Sequence, residues 1–438
     1  MQFDEALRYL LGLGHETLAI KLGLRNTELL LAALGNPHKA YPAVQIAGTN
    51  GKGSTAVVLN SICQAAGIKT GLYTSPHLVS ITERIKIEQK NISESDFARE
   101  TTVVRVAAES SEALPTFFEH VTAIALSAFQ KANIDLAILE TGLGGRLDAT
   151  SVVQAEVVGI TPIALDHEEY LGRTIESIAA EKAAIIRTGT TAVIAPQSPE
   201  VLEVIQREAD RNDVRPIFDR CQATIENATD DGRFQVTFET EHNRYEHILI
   251  GLRGRHQIAN VSLAIRLAES LITKGFTIPA STIREGIENS HHAGRLELWP
   301  GTPSLLFDGA HNPSGTRALR EYVEQFAQRP VTLVFGAMRD KALDEMAANL
   351  FSVAENLVLT TPDSPRAATL EELLSATHER VLPERISSAS SVKTAIAKAY
   401  TITAPHGLIC FAGSLYLIGE AQSVLLESKA AGAAHKAH

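Results

Sequence analysis

The protein has 438 residues, of which 45% are hydrophobic and 21% charged, and its formal net charge at pH 7 is −11. That length predicts two or three domains, with enough apolar content for sizeable cores. Proteins that bind duplex nucleic acid carry a basic face, so the acidic balance argues against nucleic acid as a partner. It does not exclude ATP, because only the local field of the site acts on a small polyanion.

Cysteine usage and the absence of long apolar runs point to the cytoplasm. Cys63, Cys221 and Cys410 are far apart and odd in number, so they provide neither a disulfide framework nor a zinc spacing. The chain begins Met1-Gln2-Phe3-Asp4-Glu5, which is acidic where a signal peptide is basic. No apolar run approaches the ~20 residues that cross a bilayer. We expect a cytoplasmic monomer with no membrane partner.

Helix-like and strand-like segments alternate along the chain, as in α/β proteins with largely parallel sheets. Residues 1–40 are predicted to be helical from their leucines, at Leu10, Leu13, Leu18, Leu22, Leu29, Leu30 and Leu34. A strand over 44–47 is followed by a glycine-rich loop and a helix over 55–66. Further strands are predicted at 70–73, 136–139 and 157–161, and further helices at 93–111, 117–132 and 174–186.

The second half of the chain predicts an insertion and another α/β series. Residues 219–250 are extended stretches separated by turn signals, which predicts an antiparallel ribbon inserted in the first domain. Helices follow at 256–275 and 280–289, and strands are predicted at 304–307, 331–335, 356–360 and 408–411. The predicted organisation is a larger N-terminal α/β domain over 1–293, a hinge over 294–302 that carries Gly294, Pro300 and Gly301, and a smaller Rossmann-like domain over 303–438.

The loop between the first strand and its helix predicts a phosphate site. Its sequence is Gly48-Thr49-Asn50-Gly51-Lys52-Gly53-Ser54. The glycines permit a tight turn of converging amides, Lys52 supplies positive charge, and the helix contributes its positive end. The usual P-loop pattern is not met, because it would place a glycine at Ile46 and a hydroxyl residue at Gly53.

Together with later segments, this loop resembles the Mur ligase superfamily and, within it, the folylpolyglutamate synthase/dihydrofolate synthase family. The segments are, in order, Thr74–Leu78, Phe118–Glu119, Glu140–Thr150, Asp166–His167, Leu171–Gly172, Glu181–Ala183, Gly254–Gln257 with Asn260, Gly294–Arg295 and Asp308–Pro313. The resemblance implies a ligase that uses ATP to activate the carboxylate of a folate or dihydropteroate as an acyl phosphate. The amine of L-glutamate then displaces phosphate.

The resemblance implies that residues 1–293 form a P-loop-type ATPase domain and residues 303–438 a glutamate-ligase domain. It also implies which residues bind ATP and which take part in the chemistry. ATP is expected to contact Asn50, Gly51, Lys52, Gly53, Ser54, Asn260, Arg295 and Asp308. Catalytic roles are expected for Lys52, Lys182 and His311. Because Arg295 and Asp308 lie in and after the connection, the ATP site would be completed by domain closure, which excludes water from the acyl phosphate.

The expected metal is Mg²⁺, as two ions held by Ser75, Glu140, His167 and Lys182. Glu140 follows an apolar strand, at the edge where α/β sheets bind ligands, and its carboxylate suits a hard cation. Imidazole suits Mg²⁺ less well, and His167 by itself is typical of a hydrogen-bonding loop residue. Without the resemblance, Lys182 would be interpreted as a solvent-exposed lysine on a helix. The resemblance implies instead that its amine is carboxylated by CO₂. Burial that lowers its pKa would favour the neutral amine which that reaction needs.

For the pterin ring of the substrate, the resemblance implies Thr116, Phe117, Phe118, Glu119, Leu147, Asp148 and Ala149. An aromatic wall suits a planar ring, although a phenylalanine here is equally suited to the helix core. Two positions depart from the family pattern. Ser151 stands where asparagine is common, and His120 where an aromatic is usual. These departures leave the preferred folate form open.

Two other functions are consistent with parts of this pattern. A Mur-type cell-wall ligase shares the glycine loop but lacks the segments Thr74–Leu78 and Gly142–Asp148. A nucleotide switch without ligase activity needs no second domain with its own Asp308 and His311. The sequence does not separate dihydrofolate synthesis from polyglutamate extension. In each ligase reading of this family the partners are small molecules, namely the folate or dihydropteroate, L-glutamate and ATP.

Overall fold

Two mixed β-sheets and a three-stranded ribbon organise the protein. The structure is a computed structural model that describes residues 1–14, 23–378 and 380–436, with side chains described through residue 428. The larger sheet has eight strands and the smaller one six. The prediction of two α/β domains is confirmed. Within the described ranges, no helix has the length and apolarity that a membrane span requires.

The N-terminal domain surrounds the larger sheet. Its helices are α1 (Phe3–Gly12), α2 (Arg25–Ala33), α3 (Lys52–Ala65), α4 (Glu94–Glu109), α5 (Phe117–Ala132), α6 (Glu168–Leu171), α7 (Ile175–Ala183), α8 (Pro199–Arg211), α9 (Gln257–Thr273) and α10 (Ala280–Glu288). Its strands are β1 (Ala43–Ala47), β2 (Thr70–Tyr73), β3 (Ile85–Ile87), β4 (Lys90–Asn91), β5 (Leu136–Glu140), β6 (Val157–Ile160), β7 (Thr191–Ile194), β8 (Ile217–Phe218), β9 (Gln222–Ala228), β10 (Phe234–Glu239) and β11 (Arg244–Leu249). Short 3₁₀ turns occur at Pro37–Lys39, Ile81–Arg84 and Ala149–Val152.

Among the differences from the sequence prediction are two in the first 60 residues. The helix predicted over residues 1–40 is at least two helices, α1 and α2, and Leu18 and Leu22 lie outside the described residues. Helix α3 begins at Lys52 and not at residue 55, because Gly51 takes the left-handed conformation (φ 91°) that only glycine adopts without strain. The first turn of α3 is therefore part of the glycine loop itself.

The central strands are buried on both faces, which explains their continuous apolar sequences. The strand order is β4-β3-β2-β5-β1-β6-β7-β8, parallel from β2 to β8. Along β1, Val44 and Ile46 contribute to the core that contains α3, α9 and α10, while Ala43 and Ala47 face the core that contains α5. The carboxyl ends of β1, β2, β5 and β6 therefore meet at one edge of the sheet.

The predicted antiparallel ribbon is confirmed as three strands, in the order β11-β10-β9. Its apolar residues, among them Val236, Phe238 and Ile248, are buried in the core that also contains α9. This insertion thus packs against the first domain, while the turn between β9 and β10 extends toward the second.

The C-terminal domain surrounds the smaller sheet. Its strands are β12 (Glu297–Trp299), β13 (Ser304–Asp308), β14 (Val331–Phe335), β15 (Asn356–Thr360), β16 (Ile386–Ala389) and β17 (Leu408–Ala412). Its helices are α11 (Pro313–Phe326), α12 (Leu343–Leu350), α13 (Leu370–Ser375), α14 (Val392–Ile402) and α15 (Leu415–Lys436), with 3₁₀ turns at Phe351–Val353 and Pro383–Arg385. Strand β12 lies inside the connection predicted over 294–302 and pairs antiparallel with β13. The limits of that connection and its hinge role stay predictions.

Candidate functional site

A cavity of about 350 Å³ lies between the carboxyl edge of the larger sheet and the C-terminal domain. It brings together most residues that the sequence predicted for the site. Its wall includes Asn50, Gly51, Lys52, Gly53, Ser54, Ser75, Thr116, Phe118, Glu119, Glu140, Leu147, Asp148, Ala149, His167, Lys182, Asn260, Arg295, Asp308 and His311. Phe117 does not line this cavity.

The glycine loop forms the floor of the cavity. The first amides of α3 have no partner within the helix, so they and the helix dipole favour an anion. A Cβ on Gly51 would lie 2.2 Å from Asn260 Oδ1, so only glycine allows Asn260 to approach the loop this closely. Lys52 Nζ donates to the carbonyl oxygens of Gly48 and Thr49, at 3.2 and 3.3 Å. This arrangement suits the phosphates of a nucleotide.

Glu140 and Ser75 offer oxygen ligands beside the loop. Glu140 ends β5, is buried, and its Oε2 accepts a hydrogen bond from the Ser75 amide at 3.2 Å. Burial raises the pKa of Glu140, and nearby Lys52 opposes that shift. Among the described residues, this carboxylate forms no ion pair. A buried carboxylate without a paired cation, next to a hydroxyl group, fits a hard divalent ion such as Mg²⁺.

No cluster of three or more His, Cys, Asp or Glu side chains in the described part of the chain is arranged to hold a metal. Of the four predicted Mg²⁺ ligands, only Glu140 and His167 are residues of these types. An ion held by Ser75 and Glu140 would therefore complete its shell with water and phosphate oxygens, as Mg²⁺ commonly does.

Glu140→Gln is expected to raise the Mg²⁺ concentration needed for half-maximal activity by about tenfold or more, since even outer-shell changes alter metal affinity by 10–100-fold. A neutral amide is a poorer ligand for a hard cation. Titration of activity with Mg²⁺, paired with Mn²⁺ binding followed by electron paramagnetic resonance, measures the change. The exposed Glu285→Gln variant is the control. Identical metal curves for both variants would contradict the assignment of Glu140.

Lys182 is buried and is not the solvated helical lysine that α7 alone would suggest. Its Nζ donates to the Gly48 carbonyl oxygen at 2.7 Å, across from Lys52 on the same carbonyl. Burial and, to a smaller extent, the neighbouring Lys52 charge together lower the pKa of Lys182 to about 7. The neutral amine is therefore easier to reach here than at an exposed lysine.

The two phenylalanines at the start of α5 have different environments. Phe117 is buried in the core, where the Arg84 guanidinium lies 5.4 Å from its ring centroid. The Phe118 ring faces the cavity and covers Gly142, where an added Cβ would lie 2.5 Å from its Cζ. Consecutive helical residues point about 100° apart, so only one of the pair can face the ligand.

The loop after β5 is held by Asp148. Its Oδ2 accepts from the amides of Gly142 and Leu143, both at 2.9 Å, and its Oδ1 accepts from the Thr150 amide and hydroxyl at 3.0 and 2.6 Å. The carboxylate thus organises the cavity wall formed by Leu147 and its neighbours. It has little capacity left to bind a ligand directly.

The two departures from the family pattern do not reach the cavity wall. The His120 side chain is fully buried, with its ring centroid 5.4 Å from that of Tyr9. Ser151 is fully buried and donates to the Gly145 carbonyl oxygen at 2.6 Å. Any influence of these residues on the folate form would have to act through packing and loop position.

The predicted connection contributes Arg295, and the C-terminal domain contributes Asp308 and His311. Asp308 accepts from the amides of Leu296 and Ala310, at 2.8 and 2.9 Å. Burial raises its pKa, and the Arg295 charge opposes that shift just as it does at Glu140. The Arg295 guanidinium thus lies in the field of one carboxylate from each domain. His311 Nδ1 donates to the Gly309 carbonyl oxygen at 2.7 Å, which turns Nε2 toward the first domain.

Sequence reasoning left many cavity residues out of the predicted site, among them Asp166, Asn312, His292 and Lys341. Asp166 and Asn312 lay within the matched segments, so their position was signalled, but His292 and Lys341 carry no motif of their own. His292 Nδ1 lies 3.1 Å from Ser54 Oγ, and Lys341 Nζ lies 2.6 Å from Asp166 Oδ1. Burial would raise the pKa of Asp166, but His311, His167 and Lys341 together hold it well below its ordinary value.

Two family models match most of the chain. The one described as "Mur ligase middle domain" matches residues 46–268, and the one described as "Mur ligase, glutamate ligase domain" matches residues 294–415. A dihydrofolate synthase/folylpolyglutamate synthase of Bacillus subtilis is 38% identical over 375 residues, which cover 83% of this chain and 86% of that protein.

A further relative is longer. A probable bifunctional folylpolyglutamate synthase/dihydropteroate synthase of Halobacterium salinarum is 36% identical over 438 residues, which cover 97% of this chain and 52% of that protein. The chain thus spans about half the length of this relative. The fold is similar to that of Escherichia coli FolC in complex with DHPP and ADP, with a TM-score of 0.86 and 31% identity over 98% of this chain and 99% of that one. The chain belongs to the folylpolyglutamate synthase/dihydrofolate synthase family of the Mur ligase superfamily.

Proposed function

We propose that the protein is an ATP- and Mg²⁺-dependent ligase that adds L-glutamate to a folate or to dihydropteroate. The observation that carries this proposal is the composition of one cavity wall. Phosphate-binding amides with Lys52, a buried carboxylate at Glu140 and an aromatic face at Phe118 all line it, and the C-terminal domain covers it. ATP, a divalent cation and a planar acid would each meet suitable groups there.

The chemistry proceeds in two steps. The substrate carboxylate attacks the γ-phosphorus of ATP, so a bond to the carboxylate oxygen forms as the bond to ADP breaks. The amine of glutamate then attacks the acyl carbon, loses a proton and expels phosphate. The loop amides and Lys52 neutralise the charge on the transferring group, which is the main requirement of phosphoryl transfer. Mg²⁺ on Ser75 and Glu140 would supply further charge neutralisation.

A second ion and a carbamate on Lys182 are part of the proposal. Carbamate formation adds CO₂ to the neutral amine with loss of one proton. The burial of Lys182 and its pKa near 7 support this reaction. The product would carry two oxygens beside Gly48, at the rim of the glycine loop, and His167 lines the same cavity.

The pterin ring is proposed to pack on Phe118, with Thr116, Leu147 and Ala149 on the same wall. The E. coli relative was solved in complex with both DHPP and ADP, which supports a site for a second ligand in addition to the nucleotide. Glu119 accepts from the Thr116 amide at 2.7 Å and so fixes the start of α5 beneath that site. The geometry favours neither dihydropteroate nor tetrahydrofolate.

A substrate panel tests the proposed function. Phosphate release is expected only when ATP, L-glutamate and either dihydropteroate or tetrahydrofolate are all present, with product length read by mass spectrometry. Turnover of a UDP-muramyl substrate instead would favour the cell-wall ligase. Phosphate release that is independent of both the folate and glutamate would favour the nucleotide switch.

A further inference from the structure

Two contacts near the connection join the domains through close packing. Leu78, in the loop after β2, lies against α15 so closely that a Cβ on Gly419 would be 2.1 Å from the Leu78 carbonyl oxygen. The turn between β9 and β10 lies against α11, where a Cβ on Gly232 would be 2.4 Å from Tyr322 Cε2. The rings of Phe234 and Phe326 add an edge contact, with centroids 5.8 Å apart. These contacts are mainly apolar and backbone in character.

The third contact is polar and lies across the cavity. Asp166, in the loop after β6, accepts from Lys341 Nζ at 2.6 Å, and the side chain of each is only 8% exposed. Asn312 Nδ2 lies 3.0 Å from Asn50 Oδ1 and 3.5 Å from Asp166 Oδ2. His311 Nε2 lies 3.8 Å from the same carboxylate oxygen. Three groups of the C-terminal domain therefore converge on one carboxylate of the N-terminal domain.

This cluster reaches the glycine loop through Asn312. Asn312 is the N-cap of α11, and its Oδ1 accepts from the Gly315 amide at 2.8 Å. Its orientation is therefore set by the helix, and only its Nδ2 is free to reach Asn50. When Lys341 holds Asp166, α11 is placed with its N-terminus against the nucleotide loop.

We propose that Asp166 and Lys341 are positioning residues that form a reversible latch, which holds the C-terminal domain over the glycine loop and so places Asn312 on Asn50. The inference rests on the proposed ligase function, which needs the two halves of the site assembled. An apolar contact resists separation because opening exposes its surface to water. Separating an ion pair costs less free energy, because water solvates each charged group once the two have separated. The latch is thus the contact that opens, while the two apolar contacts remain as the pivot.

The kinetic test is a double-mutant cycle with Asp166→Asn, Lys341→Met and their combination. Each single change leaves its partner charged and buried in the closed form, so kcat/KM for ATP is expected to fall by about 30-fold or more. The double variant is expected to recover at least about fivefold over the poorer single variant, because neither partner of the pair is then left charged. The control is Glu324→Gln, which breaks the exposed 2.8 Å pair with Arg320 inside α11.

A distance measurement separates the latch from the chemistry. Nitroxide labels at Glu203 on α8 and Lys398 on α14, both exposed, report the domain separation in a Cys221→Ser background. With ADP and Mg²⁺, the parent is expected to show a single short distance, and each single variant a longer, broader distribution. Glu324→Gln is expected to match the parent in distance and rate.

Three outcomes overturn the latch. The first is single variants with the parent's distance and rate. The second is loss of activity at the parent's distance, because the residues would then act directly on a ligand. The third is a longer distance with unchanged kcat/KM. A thermal melt identifies any variant that fails to fold, and the charge-swapped pair Asp166→Lys with Lys341→Asp then replaces it in the distance measurement. A parent without ligase activity refutes the proposed function, while the distances still report whether the latch exists.

Discussion

Lys52→Ala is expected to abolish measurable turnover while the fold stays intact. The ammonium group is held by the carbonyl oxygens of Gly48 and Thr49, at the floor of the cavity and outside the apolar cores. Its loss removes a preorganised charge from the place where phosphate charge develops. Such a loss typically costs ~3 kcal/mol or more in the barrier, which is on the order of 100-fold in rate.

Steady-state kinetics in ATP, with circular dichroism and a thermal melt, measure this prediction. The matched control is Lys274→Ala, which removes an exposed lysine next to the end of α9 in the same domain. The control is expected to keep the parent's rate, since an exposed substitution usually changes stability by under ~0.5 kcal/mol. Near-normal turnover of Lys52→Ala would refute the phosphate-loop assignment.

Gly48→Ala is expected to destabilise the protein and inactivate it together. Gly48 has φ 144°, and an added Cβ would lie 1.8 Å from Thr161 Oγ1 and 2.9 Å from its carbonyl oxygen. Thr161 is fully buried, so the loop has to move instead. We expect about 1–3 kcal/mol of backbone strain and a similar cost of overpacking. The shifted loop would also lose the bond between the Gly48 carbonyl and Lys182.

Gly67→Ala separates these two costs. Gly67 also has a positive φ, 79°, but nothing lies within 4 Å of its added Cβ. The control therefore carries the left-handed strain, about 1 kcal/mol, without a collision and away from the cavity. Urea unfolding midpoints and specific activity are the measurements. Equal effects of the two variants on both quantities would show that contact with Thr161 does not restrain the loop.

The sequence by itself determined the inner strands of both sheets and the position of the glycine loop, while the outer strands β3, β4, β7, β8, β12 and β16 were not predicted. Strands such as β5 are continuous apolar runs because both faces are buried, and that pattern is visible without any structure. Glu140 ends such a strand, and the loop residues Gly48–Ser54 directly follow another. Their neighbourhood at one sheet edge is a consequence of parallel strand order, which local patterns already indicate.

Only the tertiary structure decided which side chains face the cavity and which contacts cross between the domains. Phe117 and Phe118 are chemically identical neighbours that differ only in their packing. Phe117 packs against Arg84 in the core, whereas Phe118 packs against Gly142 at the cavity. The sequence around Lys182 predicts an exposed helical lysine. In the structure α7 packs beneath the glycine loop, and the Lys182 side chain is buried. Lys341 and Asp166 are 175 residues apart. The physical reason is common to all three. Burial and long-range ion pairing depend on how domains pack, and no local spacing encodes that arrangement.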